Sequence, residues 1–261
     1  MHDRKLLRAV LGFLYGYLFF LYWPLYRMYK KRADQHERAW IRGFVTPGDV
    51  IVDIGANVGV YSVFFAELVG PQGSVFAFEP DPQNFARLKR TTAALARVFP
   101  LEAAVGDETG SIQLFQSKGL NFDHRTYSNP DDEYSVEVAI TRLDDVAALK
   151  DARIKLVKID VQGFEMSVLG GGEDTLARNP DAKVLLEYYP WGLASSGSSP
   201  AAFIAMLKDK GFVVTAFDAD PNLLFAGIDR TRDRNWFRNL VISRSADAYV
   251  SDMTRVSLEP A

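Results

Sequence analysis

Residues 50–62 read VIVDIGANVGVYS and are the most informative segment of this chain. The segment begins as an apolar β-strand, passes through a turn that contains Gly55 and Gly59, and continues as an apolar helix. A second strand, residues 74–78, follows the helix and ends at Glu79, so the pattern predicts a βαβ unit. Glycine lets a backbone approach a ligand closely, and the amides of a helix N-terminus point outward at such a turn. The segment therefore predicts a ligand site at the end of the first strand.

Strand and helix patterns continue to alternate as far as residue 243, without an internal repeat. This alternation predicts an α/β fold with a mostly parallel sheet of seven strands and helices on both of its faces. Ligands bind such sheets outside the carboxyl ends of the strands. A chain of 261 residues, 48% of them apolar, is long enough for one domain with short additions, and we assign that domain to residues 33–261.

Charge and composition exclude several classes of function. The net charge is only −3 and the body of the chain holds no long basic run, which argues against nucleic acid as a partner. The chain lacks cysteine and has three histidines, His2, His36 and His124. Disulfides and thiolate chemistry are therefore excluded, and a histidine-rich metal centre is not expected.

Residues 9–26 read AVLGFLYGYLFFLYWPLY and contain no charged side chain, while basic residues flank the run on both sides. The length is at the lower limit for a membrane-spanning helix, and the tyrosines and tryptophan are typical of the headgroup interface. We therefore predict that residues 1–32 form a membrane-associated segment that either spans the bilayer or lies flat, next to a cytoplasmic domain. The alternative is a helix that packs on the domain or on a second copy. The sequence leaves the oligomeric state open.

The glycine turn differs from a dinucleotide fingerprint, since Asn57 stands where the second glycine is expected and Asp53 places an acid beside the turn. A pyrophosphate disfavours that carboxylate, which argues against a nicotinamide-dependent oxidoreductase. A cationic cofactor without phosphate favours it, because one carboxylate can bind an ammonium group while Glu79 binds a ribose diol. The alternative is an ordinary strand-to-helix turn followed by a solvated acid.

The sequence resembles the FkbM family of methyltransferases over about residues 48–243. Five segments carry the resemblance. They are VDIGANVGVYS (52–62), FAFEPDPQNFARLKR (76–90), AAVGDETG (103–110), TRLDDV (141–146) and IKLVKIDVQGFEMSVLGGG (154–172).

The resemblance implies a Rossmann-like class I methyltransferase fold and S-adenosylmethionine as cofactor. It also implies methyl transfer to a hydroxyl of a saccharide, glycolipid or other small-molecule acceptor. The site residues that it implies fall into three groups: Asp53, Gly55, Asn57 and Gly59 for the methionine side, Glu79 for the ribose, and Asp107 for the adenine. Where the family commonly reads DVEG, this chain reads DVQG, so Gln162 replaces an acid.

Methyl transfer to a hydroxyl requires removal of its proton, by a general base or with help from a metal. Asp160 ends a buried strand and Lys158 shares its strand face, so we predict this pair as catalytic, with His124 as a further candidate base. Asp160 and Glu187 are candidate ligands for Mg²⁺, or parts of a proton relay that includes Glu165. Alternatively, these side chains cap a helix and pair with one another. A catalytically inactive protein that binds the cofactor as a sensor or scaffold is the second functional hypothesis.

Overall fold

The structure is a computed structural model that describes residues 2–117, 124–128, 132–217, 220–244 and 253–259. Within these ranges the side chains of residues 2–9, 117, 124, 132 and 133 are not described. Ten α-helices lie in the described ranges: α1 (His2–Tyr17), α2 (Phe19–Ala33), α3 (Gln35–Phe44), α4 (Val60–Val69), α5 (Pro82–Thr92), α6 (Glu165–Gly171), α7 (Glu173–Arg178), α8 (Pro190–Ser195), α9 (Pro200–Asp209) and α10 (Leu223–Ile228).

Twelve strands lie in the same ranges. They are β1 (Val50–Ile54), β2 (Ser74–Phe78), β3 (Val98–Leu101), β4 (Ala104–Val105), β5 (Gly110–Ser117), β6 (His124–Arg125), β7 (Asp132–Thr141), β8 (Ile154–Ile159), β9 (Lys183–Tyr188), β10 (Val213–Ala216), β11 (Arg238–Ser243) and β12 (Thr254–Arg255).

The main sheet has the order β12-β10-β11-β9-β8-β1-β2-β3. The strands from β9 to β3 in this order run parallel, whereas β11, β10 and β12 pair antiparallel. The predicted α/β fold with a mostly parallel sheet is confirmed, but the sheet has eight strands instead of seven. The eighth is β12, a two-residue edge strand that pairs with Thr215 and Ala216 and is too short to give a periodic signal.

Helices cover both faces of the sheet, as predicted. Because alternate strand residues point to opposite faces, Ile51 and Leu156 pack with α3, α4 and α5, while their neighbours Val52 and Val157 pack with α6 and α9. The smaller sheet β4-β7-β5-β6 follows β3 in the chain and lies beside the main sheet's ligand-binding edge. This arrangement leaves the carboxyl ends of β1, β2, β8 and β9 facing one cavity.

The apolar run 9–26 is divided between α1 and α2, which meet at Leu18. No helix in the described part of the chain is long and apolar enough to cross a membrane. One side of the two helices packs on the domain, where Tyr15 and Tyr22 form a buried cluster with Val58 and Val60. The hydroxyl of Tyr15 also donates a hydrogen bond to Asn84 of α5. The division of the chain into residues 1–32 and 33–261 stays a prediction.

Candidate active site

A cavity of about 220 Å³ lies at the carboxyl ends of the central strands. Its lining mixes polar groups, such as Glu79 and Asp160, with apolar side chains, such as Val105 and Phe164, which is typical of a small-molecule site. Its walls come from the turn after β1, the end of β2, the chain around β4, the turn after β8, the end of β9, and helix α2. The lining includes Tyr26, Lys30, Gly55, Asn57, Glu79, Ala104, Val105, Asp160, Gln162, Phe164 and Glu187.

The turn after β1 forms the floor of the cavity. Gly55 has φ +76°, and a Cβ atom built there would lie 1.9 Å from the carbonyl oxygen of Asp160. Asn57 has φ +52°, which is uncommon for a residue with a side chain. Gln162, on the opposite wall, has φ +53° and is the other non-glycine residue with positive φ in the described chain. Backbone conformations of this kind concentrate at functional sites.

Glu79 stands at the end of β2 and is 4% exposed. Its Oε2 atom accepts a hydrogen bond of 2.7 Å from the amide of Asn57, and its Oε1 atom accepts one of 3.1 Å from the amide of Asp81. Burial raises the pKa of Glu79 to about 8, although the amides of Asp81 and Asn57 act to lower it. The carboxylate is therefore fixed in position and faces the cavity.

Asp53 is completely buried beneath the turn and does not line the cavity. The hydroxyl of Ser62 donates a hydrogen bond of 2.7 Å to its Oδ2 atom, and the ammonium group of Lys158 lies 3.7 Å from its Oδ1 atom. Burial raises the pKa of Asp53, against the opposing effects of Lys158 and Ser62. In this arrangement Asp53 supports the turn from below through α4 and β8.

Lys158 lies between the carboxyl groups of Asp53 and Asp160. Its Nζ atom is 3.2 Å from Oδ2 of Asp160. Burial alone would raise the pKa of Asp160, but Lys158 and Lys30 outweigh it and lower the pKa. Burial likewise acts to lower the pKa of Lys158, but Asp160 and Asp53 outweigh it and raise the pKa. Asp160 is therefore a carboxylate held in its charged form at the cavity wall.

Gln162 joins Asp160 to Glu187. Its Nε2 atom donates a hydrogen bond of 3.2 Å to Oδ1 of Asp160 and one of 3.1 Å to Oε2 of Glu187. Burial, followed by the charge of Asp160, raises the pKa of Glu187 to about 8. Asp160 and Glu187 thus differ in protonation, because Asp160 is ionised at neutral pH and Glu187 keeps its proton.

This raised pKa predicts how stability changes with pH. The pKa of Glu187 is higher in the folded protein than in an unfolded glutamate. Its contribution to the free energy of unfolding is therefore complete below about pH 4.5 and is lost as pH rises through about 8. We expect the free energy of unfolding to fall over that range, by at most about 1.4 kcal/mol per pH unit for one group. The Glu187→Gln variant should show a shallower fall in urea titrations.

Three other buried carboxyls contribute to the slope in the same direction, since burial raises the pKa of Glu79 to about 8, that of Glu165 to about 7 and that of Asp53 above its usual value. Some slope should therefore remain in Glu187→Gln. Glu102→Gln, which changes an exposed acid, is the matched control and should follow the wild type. Equal slopes in wild type and Glu187→Gln would contradict the assignment.

Two further predicted residues, Gly59 and Asp107, do not line the cavity, and the side-chain position of a third, His124, is not described. Gly59 starts α4 with φ +89°, and a Cβ there would approach Thr91 Oγ1 to 2.8 Å, so its visible role is in helix packing. Asp107 is exposed and accepts a hydrogen bond of 2.5 Å from Ser167. The backbone of His124 pairs with Gln116 in β6, but its side chain lies outside the described residues.

A metal site was one of the alternatives for Asp160 and Glu187. Within the described ranges, no group of three or more histidine, aspartate or glutamate side chains is arranged so that it could hold a metal ion. The side chain of His124 falls outside that search. The polar contacts that are described for the pair run through Gln162 and Lys158.

Tyr26 and Lys30 of α2 also line the cavity, which the sequence analysis did not predict. Burial, followed by the charge of Asp160, raises the pKa of Tyr26 well above its usual value. Lys30 forms an ion pair of 2.8 Å with Asp34, one turn further along the chain. The sequence does contain a signal for a buried helix face, namely helical spacing. Tyr15, Tyr22, Tyr26 and Lys30 share one face of a helical pattern.

Comparisons with known proteins point to one family. A family model described as the methyltransferase FkbM domain matches residues 53–214. The chain is 33% identical over 228 residues to 31-O-demethyl-FK506 methyltransferase FkbM of Streptomyces tacrolimicus, which covers 74% of this chain and 83% of the relative. It is 35% identical over 150 residues to 2-O-methyltransferase NoeI of Sinorhizobium fredii, covering 51% of this chain and 60% of the relative. A solved structure of methyltransferase FkbM from Methylobacillus flagellatus covers 75% of this chain and 43% of its own, at 18% identity and a TM-score of 0.48.

The family match, together with the parallel sheet and its cavity at the carboxyl ends of the central strands, identifies a Rossmann-like class I methyltransferase that takes its methyl group from S-adenosylmethionine. The family model spans more than half of the 261 residues. The chain belongs to the FkbM family of methyltransferases. The expected fold class, enzyme class and family are thereby confirmed.

Proposed function

We propose that this enzyme transfers a methyl group from S-adenosylmethionine to a hydroxyl of a saccharide, glycolipid or other small-molecule acceptor, in the cytoplasm where this cofactor is made. The observation that carries the proposal is the pairing of an ionised Asp160 with a protonated Glu187 beside the glycine turn. A relative from Haloferax volcanii, 29% identical over 131 residues, is named hexuronic acid methyltransferase AglP, which supports a sugar acceptor. That match covers 49% of this chain and 52% of the relative.

The cavity residues fit the cofactor. Gly55 lets the turn pack directly against the carbonyl of Asp160, and the turn lines the cavity at the N-terminal side of α4, where backbone amides can meet a ligand. Glu79 offers a carboxyl group fixed by two backbone amides, which suits the two hydroxyls of a ribose. Ala104, Val105 and Phe164 supply the apolar surface that an adenine ring requires.

In this assignment the turn formed by Gly55 and Asn57 holds the methionine part, and Asp53 supports that turn from below through Ser62 and Lys158. Gly59 fixes the start of α4. Asp107 acts indirectly, because its hydrogen bond with Ser167 holds the chain next to Val105. When bound, the cofactor supplies a methyl group on a positively charged sulfur.

Asp160 is the proposed general base. When the acceptor oxygen takes the methyl group that the bound cofactor would supply, the hydroxyl proton would pass to the carboxylate of Asp160, and the demethylated cofactor would be the leaving group. Lys158 keeps Asp160 ionised, and Gln162 fixes its orientation through the shared amide. His124 remains a further candidate for contact with the acceptor, since Thr126 of the same segment lines the cavity.

Glu79→Gln is the first variant for testing the cofactor site by calorimetry. The wild-type chain should bind S-adenosylmethionine and should not bind NAD. Because removing one partner of a buried hydrogen bond costs about 1–3 kcal/mol, the variant should bind the cofactor roughly fivefold to a hundredfold more weakly. Glu102→Gln changes an exposed glutamate near β3 and should bind like the wild type.

A preference for NAD, or equal cofactor affinity in wild type and Glu79→Gln, would overturn the cofactor assignment. The acceptor class is tested separately, by release of S-adenosylhomocysteine in the presence of free sugars, glycolipids and small-molecule alcohols, with amines and thiols as comparison acceptors. Turnover with any of the hydroxyl acceptors supports hydroxyl methylation. Turnover only with amines or thiols would contradict it.

A further inference from the structure

The outer side of α1 and α2 is a continuous apolar surface. Of the large apolar side chains that are exposed in the described chain, eight lie on these two helices and four lie elsewhere. The spacing of the eight follows a helical period, so they form one stripe. We call these eight residues the outer stripe. They are Val10, Phe13, Tyr17, Phe20, Leu21, Leu25, Met28 and Tyr29.

Exposure of this stripe is high, reaching 79% for Tyr17, 68% for Met28 and 66% for Phe20. Contiguous apolar surface of this kind marks a contact with a partner or a membrane. The opposite side of the same helices is already occupied, since Tyr15 and Tyr22 are buried against Val58 and Val60. The outer stripe is therefore an additional surface that the packing of the domain does not require.

Charge indicates what covers this surface. Residues 1–32 contain seven of the 30 basic residues and one of the 33 acidic residues, which gives this segment a net charge of +6 and leaves −9 for the rest of the chain. The basic residues stand on both sides of the apolar run. Among them Lys31 and Arg32 are exposed at the end of α2, next to the outer stripe.

We propose that α1 and α2 lie in the interface of an anionic phospholipid bilayer, with the outer stripe inserted between the headgroups. An exposed apolar stripe rich in aromatic residues, bordered by basic side chains, is the pattern of an interfacial helix. Each basic residue near an anionic surface adds attraction, while the acidic remainder of the domain is repelled from it and stays in water. A second copy of the chain fits less well, because two segments of charge +6 would be brought together.

Docking also concerns the cavity, because one side of α2 lines the cavity and the other side belongs to the outer stripe. Tyr26 and Lys30 line the cavity, while Leu25, Met28 and Tyr29 on the same helix belong to the outer stripe. One helix thus forms a wall of the cavity and the contact with lipid. Docking would hold that wall at the membrane surface.

Sedimentation of the full chain with lipid vesicles tests this proposal. The protein should bind vesicles of phosphatidylcholine with phosphatidylglycerol and bind pure phosphatidylcholine much more weakly. The triple variant Phe13→Ser, Tyr17→Ser, Phe20→Ser should lower binding to the anionic vesicles at least about tenfold. The matched control Phe99→Ser, Tyr134→Ser, Phe237→Ser changes the same residue types outside the stripe and should bind like the wild type.

Lys31→Glu with Arg32→Glu tests the charge independently and should also weaken binding to the anionic vesicles. Thermal unfolding of every variant checks that the fold is retained. Vesicle sedimentation does not depend on cofactor binding or turnover, so it tests the docking separately from the proposed function. The proposal is overturned if the wild type does not sediment with anionic vesicles, or if both stripe and charge variants bind like the wild type. A dimer in sedimentation velocity that the stripe variant dissociates, without any vesicle binding, overturns it in favour of a second copy.

Discussion

Gly55→Ala should abolish cofactor binding and destabilise the protein by about 4 kcal/mol or more, which is exceptional for one methyl group. Two effects act together. The φ of +76° strains any residue with a Cβ, and the Cβ would lie 1.9 Å from the carbonyl oxygen of Asp160, which is backbone and cannot rotate away. The amide of Asp160 bonds to the carbonyl of Ile54 at 3.0 Å, so the clash would push apart two adjacent strands.

Gly48→Ala separates strain from collision. Gly48 has φ +97°, but a Cβ there would meet nothing within 4 Å. It should cost only the backbone strain, about 1–3 kcal/mol, and leave cofactor affinity unchanged. Urea titrations and calorimetry on both variants give the comparison. If Gly55→Ala were no worse than Gly48→Ala, the close contact between the cofactor turn and Asp160 would not exist in solution.

Asp160→Asn should slow methyl transfer by about 10²- to 10⁴-fold, which is the range that a positioned general base contributes. The amide has nearly the same shape and can still bond to Gln162, but it cannot accept the hydroxyl proton. Cofactor affinity should change by less than about threefold, because Glu79 and the glycine turn are untouched. Release of S-adenosylhomocysteine, measured with an acceptor from the panel, gives the rate.

Asp151→Asn is the control for this variant, since it changes an exposed aspartate that precedes the same strand. It should turn over at the wild-type rate. A rate for Asp160→Asn within about threefold of the wild type would remove Asp160 from the role of base. A matching loss of cofactor affinity would instead assign Asp160 to the cofactor site.

The sequence could predict those parts of the site that local patterns determine. Gly55 and Glu79 stand at the ends of strands with a clear apolar pattern, and parallel strands bring their carboxyl ends to one edge. Their meeting in one cavity follows from the βαβ unit alone. The pairing of Asp160 with Lys158 likewise follows from the two-residue period of a strand.

Tertiary contacts decided what the sequence could not show. Asp53 and Glu79 are both acids beside the same turn, yet Asp53 is buried beneath it and Glu79 faces the cavity. The difference arises because β1 is central and α4 packs over the side chain of Asp53 through Ser62. Helical spacing places Tyr26 and Lys30 on one helix face, but no local pattern shows that this face meets a site more than twenty residues further along the chain.

The position of α2 also affects how the acceptor range of this enzyme could be changed. A shortened protein that starts at residue 33 would lose Tyr26 and Lys30 from the cavity wall. It would also uncover Val58 and Val60, which α1 and α2 bury at the start of α4. Libraries that aim at new acceptors should therefore keep these helices and vary the residues of α2 that face the cavity, leaving the glycine turn intact.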